Sequence, residues 1–214
     1  SPAANGAANT DKTAQPGQAF SSFAHFIRAE RWKEAADFID ALPEPEKNKA
    51  EVRYARARAA ISMEDYSKAV VLLSNLGREL PDLAADIARY YAEAAFFAGP
   101  FTEAAKYFAQ GSKARDYLRA AQAYQKAGDV ANARALSDKC IETAQRTRNK
   151  NIEMEGHAFR AHLILGARGE KTANPKIDPV AAGDLRHLAI FAGATPEGKN
   201  AAETLEQYKI GLNP

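Results

Sequence analysis

Four histidines and 27 carboxylates are the side chains in this 214-residue sequence that could support metal or acid–base chemistry. His157 and His162 are five residues apart, which places them about 140° apart around a helix and not on one metal-facing stripe. His25 and His187 are distant from both in the sequence. We therefore expect half-buried or solvated histidines, no metal site and no cofactor.

Paired carboxylates from different helices could carry out glycosidic acid–base chemistry. Most acidic residues here instead fall in turns or opposite apolar stripes, as is typical of a solvated helix face. Examples are Glu34, Asp37, Glu64, Asp65 and Glu103. Glycine-rich nucleotide-binding loops need a preceding strand, and no strand is predicted. We predict no catalytic residue, and the sequence leaves open whether the chain belongs to an enzyme.

The composition is that of a globular chain with little net charge. Apolar residues make up 46% of it, and 29 basic residues against 27 acidic ones give a net charge of +2. Because the tyrosines and phenylalanines fall at core spacings, no basic face with stacking aromatics is expected, and we predict no nucleic-acid partner. The single cysteine, Cys140, excludes an intramolecular disulfide and is interpreted as a core residue.

The ends of the sequence differ in character. Residues 1–18, SPAANGAANTDKTAQPGQ, are small and polar, and are predicted to form a flexible tether. The sequence starts without methionine, which suggests that a leader was removed or that the chain is part of a longer protein. No apolar run approaches the roughly 18 residues of a membrane-spanning helix, so no such segment is predicted.

An aromatic or branched residue followed three positions later by alanine recurs along the chain. The pairs are Trp32 and Ala35, Tyr66 and Ala69, Phe101 and Ala104, and Val130 and Ala133. Successive alanines are 34, 35 and 29 residues apart, and helical patterns fill the intervals. A period in this range indicates helical hairpins that stack in a row. Gly99 and Gly128 are predicted to end first helices in a left-handed conformation.

This spacing resembles the tetratricopeptide repeat (TPR), in which a small residue occupies the middle of the first helix and an aromatic residue and alanine mark the second. The small position matches Ala57, Ala92 and Ala121, and Phe23 departs from it in the first repeat. The resemblance covers residues 31–140. It implies an all-α fold, a superhelical stack of helical hairpins (a TPR-like α-solenoid), over residues 19–214.

In TPR arrays, defined positions of the first helices line a concave groove that binds partners. Carried onto this sequence, the resemblance implies a polar partner-binding face with a basic excess. Its members are Tyr54, Arg58, Arg89, Glu93, Arg115, Gln122, Gln125 and Lys126. Arginine and glutamine can donate paired hydrogen bonds to carboxylates and amides. The expected ligand is a protein or peptide partner, with peptidoglycan as the alternative.

A narrower resemblance covers residues 80–208, from the alanine-rich ELPDLAADIARYYAEAAFFAGPF to LRHLAIFAGATPEGKNAAETL. It is similar to the helical, non-catalytic region of periplasmic soluble lytic transglycosylases, which cleave peptidoglycan with a glutamate followed directly by serine. No Glu-Ser pair occurs in this sequence. The resemblance therefore implies the superhelical part without its catalytic domain.

The leading hypothesis is a non-catalytic interaction domain in the periplasm or cell envelope of a bacterium, which positions a partner or the cell wall. A second hypothesis is that the chain completes the substrate groove of a larger lytic transglycosylase. A third is a TPR adaptor for an outer-membrane or secretion assembly. Co-sedimentation with purified peptidoglycan would separate the first from the third.

Overall fold

The computed structural model describes residues 23–166 and 177–212, and all regular structure in these ranges is helical. The all-α prediction is thereby confirmed, whereas the tether at residues 1–18 lies outside the described residues. None of the described helices combines the length and the apolar character that crossing a bilayer requires. The chain divides into two compact units, one that ends at Ala84 and one that begins at Ala85.

The first unit contains α1 to α6, of which α3 and α6 are single short turns. The helices are α1 (residues 23–28), α2 (Trp32–Asp40), α3 (Glu44–Lys47), α4 (Ala50–Ser62), α5 (Tyr66–Leu73) and α6 (Leu76–Glu79), followed by a 3-10 turn, Pro81–Leu83. Helix α4 packs against both α2 and α5. The apolar core of the first unit contains Phe23, Ile39, Val52 and Ala55, each at most 6% exposed.

The second unit contains seven helices in its described residues. They are α7 (Ala84–Ala98), α8 (Phe101–Ala109), α9 (Ala114–Lys126), α10 (Val130–Arg146), α11 (Lys150–Gly166), α12 (Pro179–Phe191) and α13 (Pro196–Gln207). From α8 to α13 each helix packs against the next, as expected for a solenoid-like row of hairpins.

The second unit has two apolar clusters, and α11 contributes to both. Ile152 packs with Leu118 and Cys140, whereas Ala161 packs with Leu188 and Leu205. Cys140 is fully buried, as predicted, and burial raises the pKa of its thiol to about 11. A protonated, buried thiol is a core residue and not a nucleophile.

The repeated turns share one backbone conformation. Glu30, Glu64, Gly99 and Gly128 all have positive φ, between 54° and 83°, at the same intervals of 34, 35 and 29 residues as the alanines. At the end of α4 the Glu64 N–H bonds the Ile61 carbonyl and the Asp65 N–H bonds the Ala60 carbonyl, which is the Schellman pattern. The left-handed glycines were predicted. The glutamates show that the turn geometry repeats even where glycine is absent.

The alanines of the repeat pattern are buried, and the residues three positions before them differ in exposure. The four pattern alanines and the three small-position alanines are each at most 1% exposed. Trp32, Tyr66 and Phe101 are half-buried, whereas Val130 is 43% exposed. The alanines are therefore the points of close contact between the helices of each hairpin. Val130, the residue three positions before Ala133, is less buried than its counterparts in the other three hairpins.

A buried arginine joins α2 to α4 in the first unit. The Arg56 side chain is 8% exposed, and its Nε and Nη2 each donate to a carboxylate oxygen of Asp40 at 2.9 Å. Hydrogen bonding to Arg56 lowers the pKa of Asp40 below its usual value of 3.8. The ion pair stabilises the folded state fully at pH values above 3.8. This stabilisation is lost as the pH falls through the lower pKa that Asp40 has in the folded state.

Replacing Asp40 with asparagine is therefore expected to destabilise the protein at neutral pH. The difference from wild type should begin to shrink below pH 3.8, where Asp40 of the unfolded wild-type chain becomes protonated, and should be smallest below the lower pKa of the folded state. Urea unfolding of both proteins at neutral and acidic pH measures this difference. Asp37→Asn, at the exposed pair with Lys33, is the control and should have little effect at either pH. A pH-independent loss in Asp40→Asn would contradict the assignment.

Candidate functional site

The eight residues predicted for the partner-binding face lie on α4, α7 and α9, the first helices of three hairpins. Tyr54 and Arg58 belong to the first unit, and the other six belong to the second. That all eight line one concave face stays a prediction.

Three of the predicted arginines contact other side chains of the protein. The guanidinium of Arg58 lies 5.8 Å from the ring centroid of Trp32. Arg89 is 3.3 Å from Asp86, one turn earlier on α7, and Arg115 on α9 is 3.3 Å from Glu155 on α11. The Arg89 and Arg115 pairs are about half exposed. Because exposed pairs contribute about 1 kcal/mol or less, a ligand could exchange for either partner at little cost.

Lys126, also a predicted partner-binding residue, links α9 to the last turn of α7. Its Nζ donates to the Phe96 carbonyl at 2.7 Å and lies 4.2 Å from the Phe96 ring centroid, with Phe97 and Phe101 within 5.6 Å. Burial lowers the pKa of Lys126. An ammonium at a helix C-terminus stabilises the terminal carbonyls, so this lysine has a structural partner already.

Gln122 lines a cavity of about 460 Å³ between α9, α11 and the start of α13. The lining is partly apolar and partly polar. It consists of Leu118, Gln122, Asn151, Met154, Glu155, Ala158, Ala192, Thr195 and Glu197. Cavities of 300–1,000 Å³ are of the size that accommodates ligands or partner side chains. Gln122 is thus the predicted partner-binding residue that lines this cavity, and its contact with a partner stays a prediction.

A second cavity, of about 240 Å³, shares Ala158 and Glu197 with the first. Its remaining lining is mostly apolar and includes Leu165, Leu185 and Leu188. We refer to the two cavities together as the α11–α13 groove. The groove has a polar end, at Gln122 and Asn151, and an apolar end.

A different group of side chains meets inside the second unit, between α11 and α12. We define the His–carboxylate cluster as Glu153, His157 and Arg160 on α11 and Asp184 and His187 on α12. On each helix its members are three or four residues apart, which places them on one face. Glu153 and Asp184 are 2% exposed and His157 is 7% exposed. The cluster is thus a buried polar layer between two helices.

Hydrogen bonds fix the orientation of His157. Its Nδ1 is 2.7 Å from the Asp184 carboxylate, and because a carboxylate only accepts, Nδ1 carries the proton. Asp184 also accepts two hydrogen bonds from Arg160, at 2.7 and 2.9 Å, and Arg160 contacts Asp138 in turn. The Nε2 of a His157 held in this tautomer presents its lone pair.

Two buried ring nitrogens of the cluster have no hydrogen-bond partner among the described residues. They are Nε2 of His157 and Nε2 of His187. The His187 Nε2 is 3.7 Å from Glu153 Oε1, and the two imidazoles stack with centroids 4.2 Å apart. One potential ligand atom from each of Glu153, His157 and His187 lies within 4.8 Å of the others. Buried polar atoms without partners cost stability, so this arrangement calls for a ligand.

The electrostatics of the cluster favour a charged carboxylate beside a neutral imidazole. Desolvation opposes ionisation of Glu153, but hydrogen bonds from Lys150 and Gln145 outweigh it and lower the pKa of Glu153. Desolvation by burial lowers the pKa of His187. A carboxylate and neutral imidazoles are the protonation states in which these groups bind metal ions.

The spacing of His157 and His162 did not predict this cluster, because His162 lies at an exposed position outside it. The available signal was the helical spacing of Glu153 and His157 (i, i+4) on α11 and of Asp184 and His187 (i, i+3) on α12. Neither pair predicts a site alone. The fold brings together residues of the two helices that are 24 to 34 positions apart.

No protein-family model matches this sequence, and comparison with curated proteins finds no match either.

Proposed function

We propose that this chain is a non-catalytic interaction domain that binds an extended protein segment in the α11–α13 groove of its second unit. The observation that carries the proposal is this groove, which is flanked by stacked hairpins and has one polar and one apolar end. Stacked helical repeats commonly use such surfaces to bind partners.

The side chains of the groove suit a peptide in extended conformation. Gln122 and Asn151 each offer a donor and an acceptor, so they can pair with a peptide backbone N–H and C=O. Leu118 and Met154 line the same cavity, and methionine adapts readily to different apolar side chains. The second cavity can receive a further apolar residue of the segment.

The finer part of the proposal is the setting of this interaction. The TPR-like repeat and the similarity of residues 80–208 to the superhelical region of lytic transglycosylases support a role in the bacterial cell envelope, where the domain positions a protein partner. Peptidoglycan is the alternative ligand. An export leader upstream in the full reading frame would support the envelope setting, and a cytoplasmic start would oppose it.

Blocking the groove is expected to abolish partner binding. Ala158 lines both cavities, so Ala158→Phe should fill both and weaken capture of the envelope partner at least about tenfold, as loss of one buried anchor does. Quantitative pull-down from envelope extracts of the source organism, followed by titration of the captured protein, measures this. The matched control is Ala131→Phe at an exposed alanine of α10.

Equal capture by Ala158→Phe and wild type would contradict the groove as the binding site. Circular dichroism of each variant checks that the helices are intact. Purified peptidoglycan in a parallel sedimentation assay distinguishes the two ligands, because binding to peptidoglycan that Ala158→Phe abolishes would favour glycan over protein.

A further inference from the structure

We propose that Glu153, His157 and His187 form a binding site for a divalent transition-metal ion, with zinc as the best match to the donor set. This inference is independent of the groove and of the proposed function. It rests on the chemistry and geometry of side chains that α11 and α12 bring together.

Each of the three residues has a suitable donor atom in place. The Nε2 atoms of His157 and His187 are buried and lack hydrogen-bond partners among the described residues. Glu153 Oε2 accepts a hydrogen bond from Lys150 Nζ at 2.8 Å, whereas Oε1 faces His187 Nε2 at 3.7 Å. Gln145 also donates a hydrogen bond to this carboxylate. Oε1 can therefore bind a metal ion while the bond to Lys150 is kept.

The surroundings of His157 match those of a metal-ligating histidine. Such histidines usually donate their second ring N–H to a carboxylate, which fixes the tautomer and makes the other nitrogen a better ligand. Asp184 has this position, at 2.7 Å from Nδ1. Asp184 is in turn held by Arg160, which also contacts Asp138. Asp184 is thus a positioning residue that does not itself contact the ion.

The spacing of the donors is slightly wider than in an occupied site. Ligand atoms around a tetrahedral zinc ion lie about 3.4 Å apart, given zinc–ligand distances near 2.0–2.1 Å. One ligand atom from each of the three residues lies within 4.8 Å of the others, so binding through these atoms requires a relative movement of about 1.4 Å or less. The His187 side chain is 25% exposed, which gives its ring more room to move than His157 has.

Charge also favours a cation in this place. Glu153, Asp184 and Asp138 are countered by Lys150 and Arg160, which leaves one net negative charge when both histidines are neutral. Two imidazoles and a carboxylate suit zinc and its neighbours among the transition metals better than magnesium or calcium, which prefer oxygen ligands. Three protein ligands leave a further coordination position for water or another ligand.

The experiment is a metal titration of the full chain after removal of metal by chelation and dialysis. Zinc uptake is measured by equilibrium dialysis with elemental analysis, and cobalt(II) serves as a second probe through its visible absorption. We expect one ion per chain, tetrahedral-type cobalt absorption, and a melting temperature that rises with zinc concentration. His187→Ala and Glu153→Gln should each weaken zinc binding at least about tenfold.

The matched control is His162→Ala, which removes an exposed histidine of α11 outside the cluster and should leave zinc binding unchanged. His187→Ala is preferred to a change at His157 because His187 is the more exposed of the two. Circular dichroism confirms that each variant is folded. Absence of saturable zinc uptake by the wild type, or equal uptake by the wild type and His187→Ala, would overturn the proposal.

Discussion

Replacing Asp184 with alanine is expected to lower the free energy of unfolding by about 3 kcal/mol, near the lower end of the range for breaking a buried ion pair. Asp184 is 2% exposed and accepts hydrogen bonds from both His157 and Arg160. Its removal leaves the buried His157 Nδ1–H without an acceptor. It also takes one carboxylate from the guanidinium of Arg160, whose side chain is 17% exposed. Because Arg160 keeps its contact with Asp138, the loss of unfolding free energy should not reach the upper end of the range for a broken buried ion pair.

The control for this prediction is Asp138→Ala, which removes the other carboxylate on the same arginine. The Asp138 side chain is 52% exposed, and exposed ion pairs contribute about 1 kcal/mol or less. Chelator-treated samples of both variants should be unfolded in urea and compared with the wild type. Similar losses for the two variants would show that Arg160 does not depend on the buried carboxylate.

The repeat could be predicted from the sequence because its alanines and turns recur at regular intervals along the chain. Ala35, Ala69 and Ala104 mark the positions where two helices approach closely, and any larger side chain there would separate them. This constraint acts within one hairpin, so it is visible as a period. The left-handed turns at Glu30 and Glu64 were harder to foresee because glutamate does not identify that conformation, although its place in the period does.

The candidate site was less predictable because it depends on contacts between hairpins. Two residues predicted for the partner-binding face, Gln122 and Lys126, have different surroundings in the structure. Gln122 lines the groove, whereas Lys126 is bonded to the Phe96 carbonyl, which the spacing could not show. Groove residues such as Asn151 and Glu197 lie in a part of the chain where the period is lost. The His–carboxylate cluster requires α11 to face α12 in one register, which spacing within either helix does not determine.

Gly198 is the position in the second unit where one added methyl group is expected to be most costly. It is buried in the first turn of α13, and its N–H donates to Thr195 Oγ1 at 3.1 Å. A β-carbon there would overlap the Ala192 carbonyl group and lie 2.8 Å from Gly193 Cα. These obstacles are backbone atoms, which no change of rotamer can move, so relief requires α13 to shift away from the end of α12.

Gly198→Ala is therefore expected to destabilise the protein by about 2 kcal/mol. The overlap with backbone atoms places the overpacking cost at the upper end of its range of about 1–3 kcal/mol, and replacing a helical glycine offsets about 1 kcal/mol of it. The control is Gly183→Ala in α12, where the added carbon meets no atom within 4 Å and only the gain should remain. Urea unfolding should thus separate the two variants by about 3 kcal/mol. Equal stabilities would mean that α13 can move without loss, and the groove it lines would then be adjustable and not preformed.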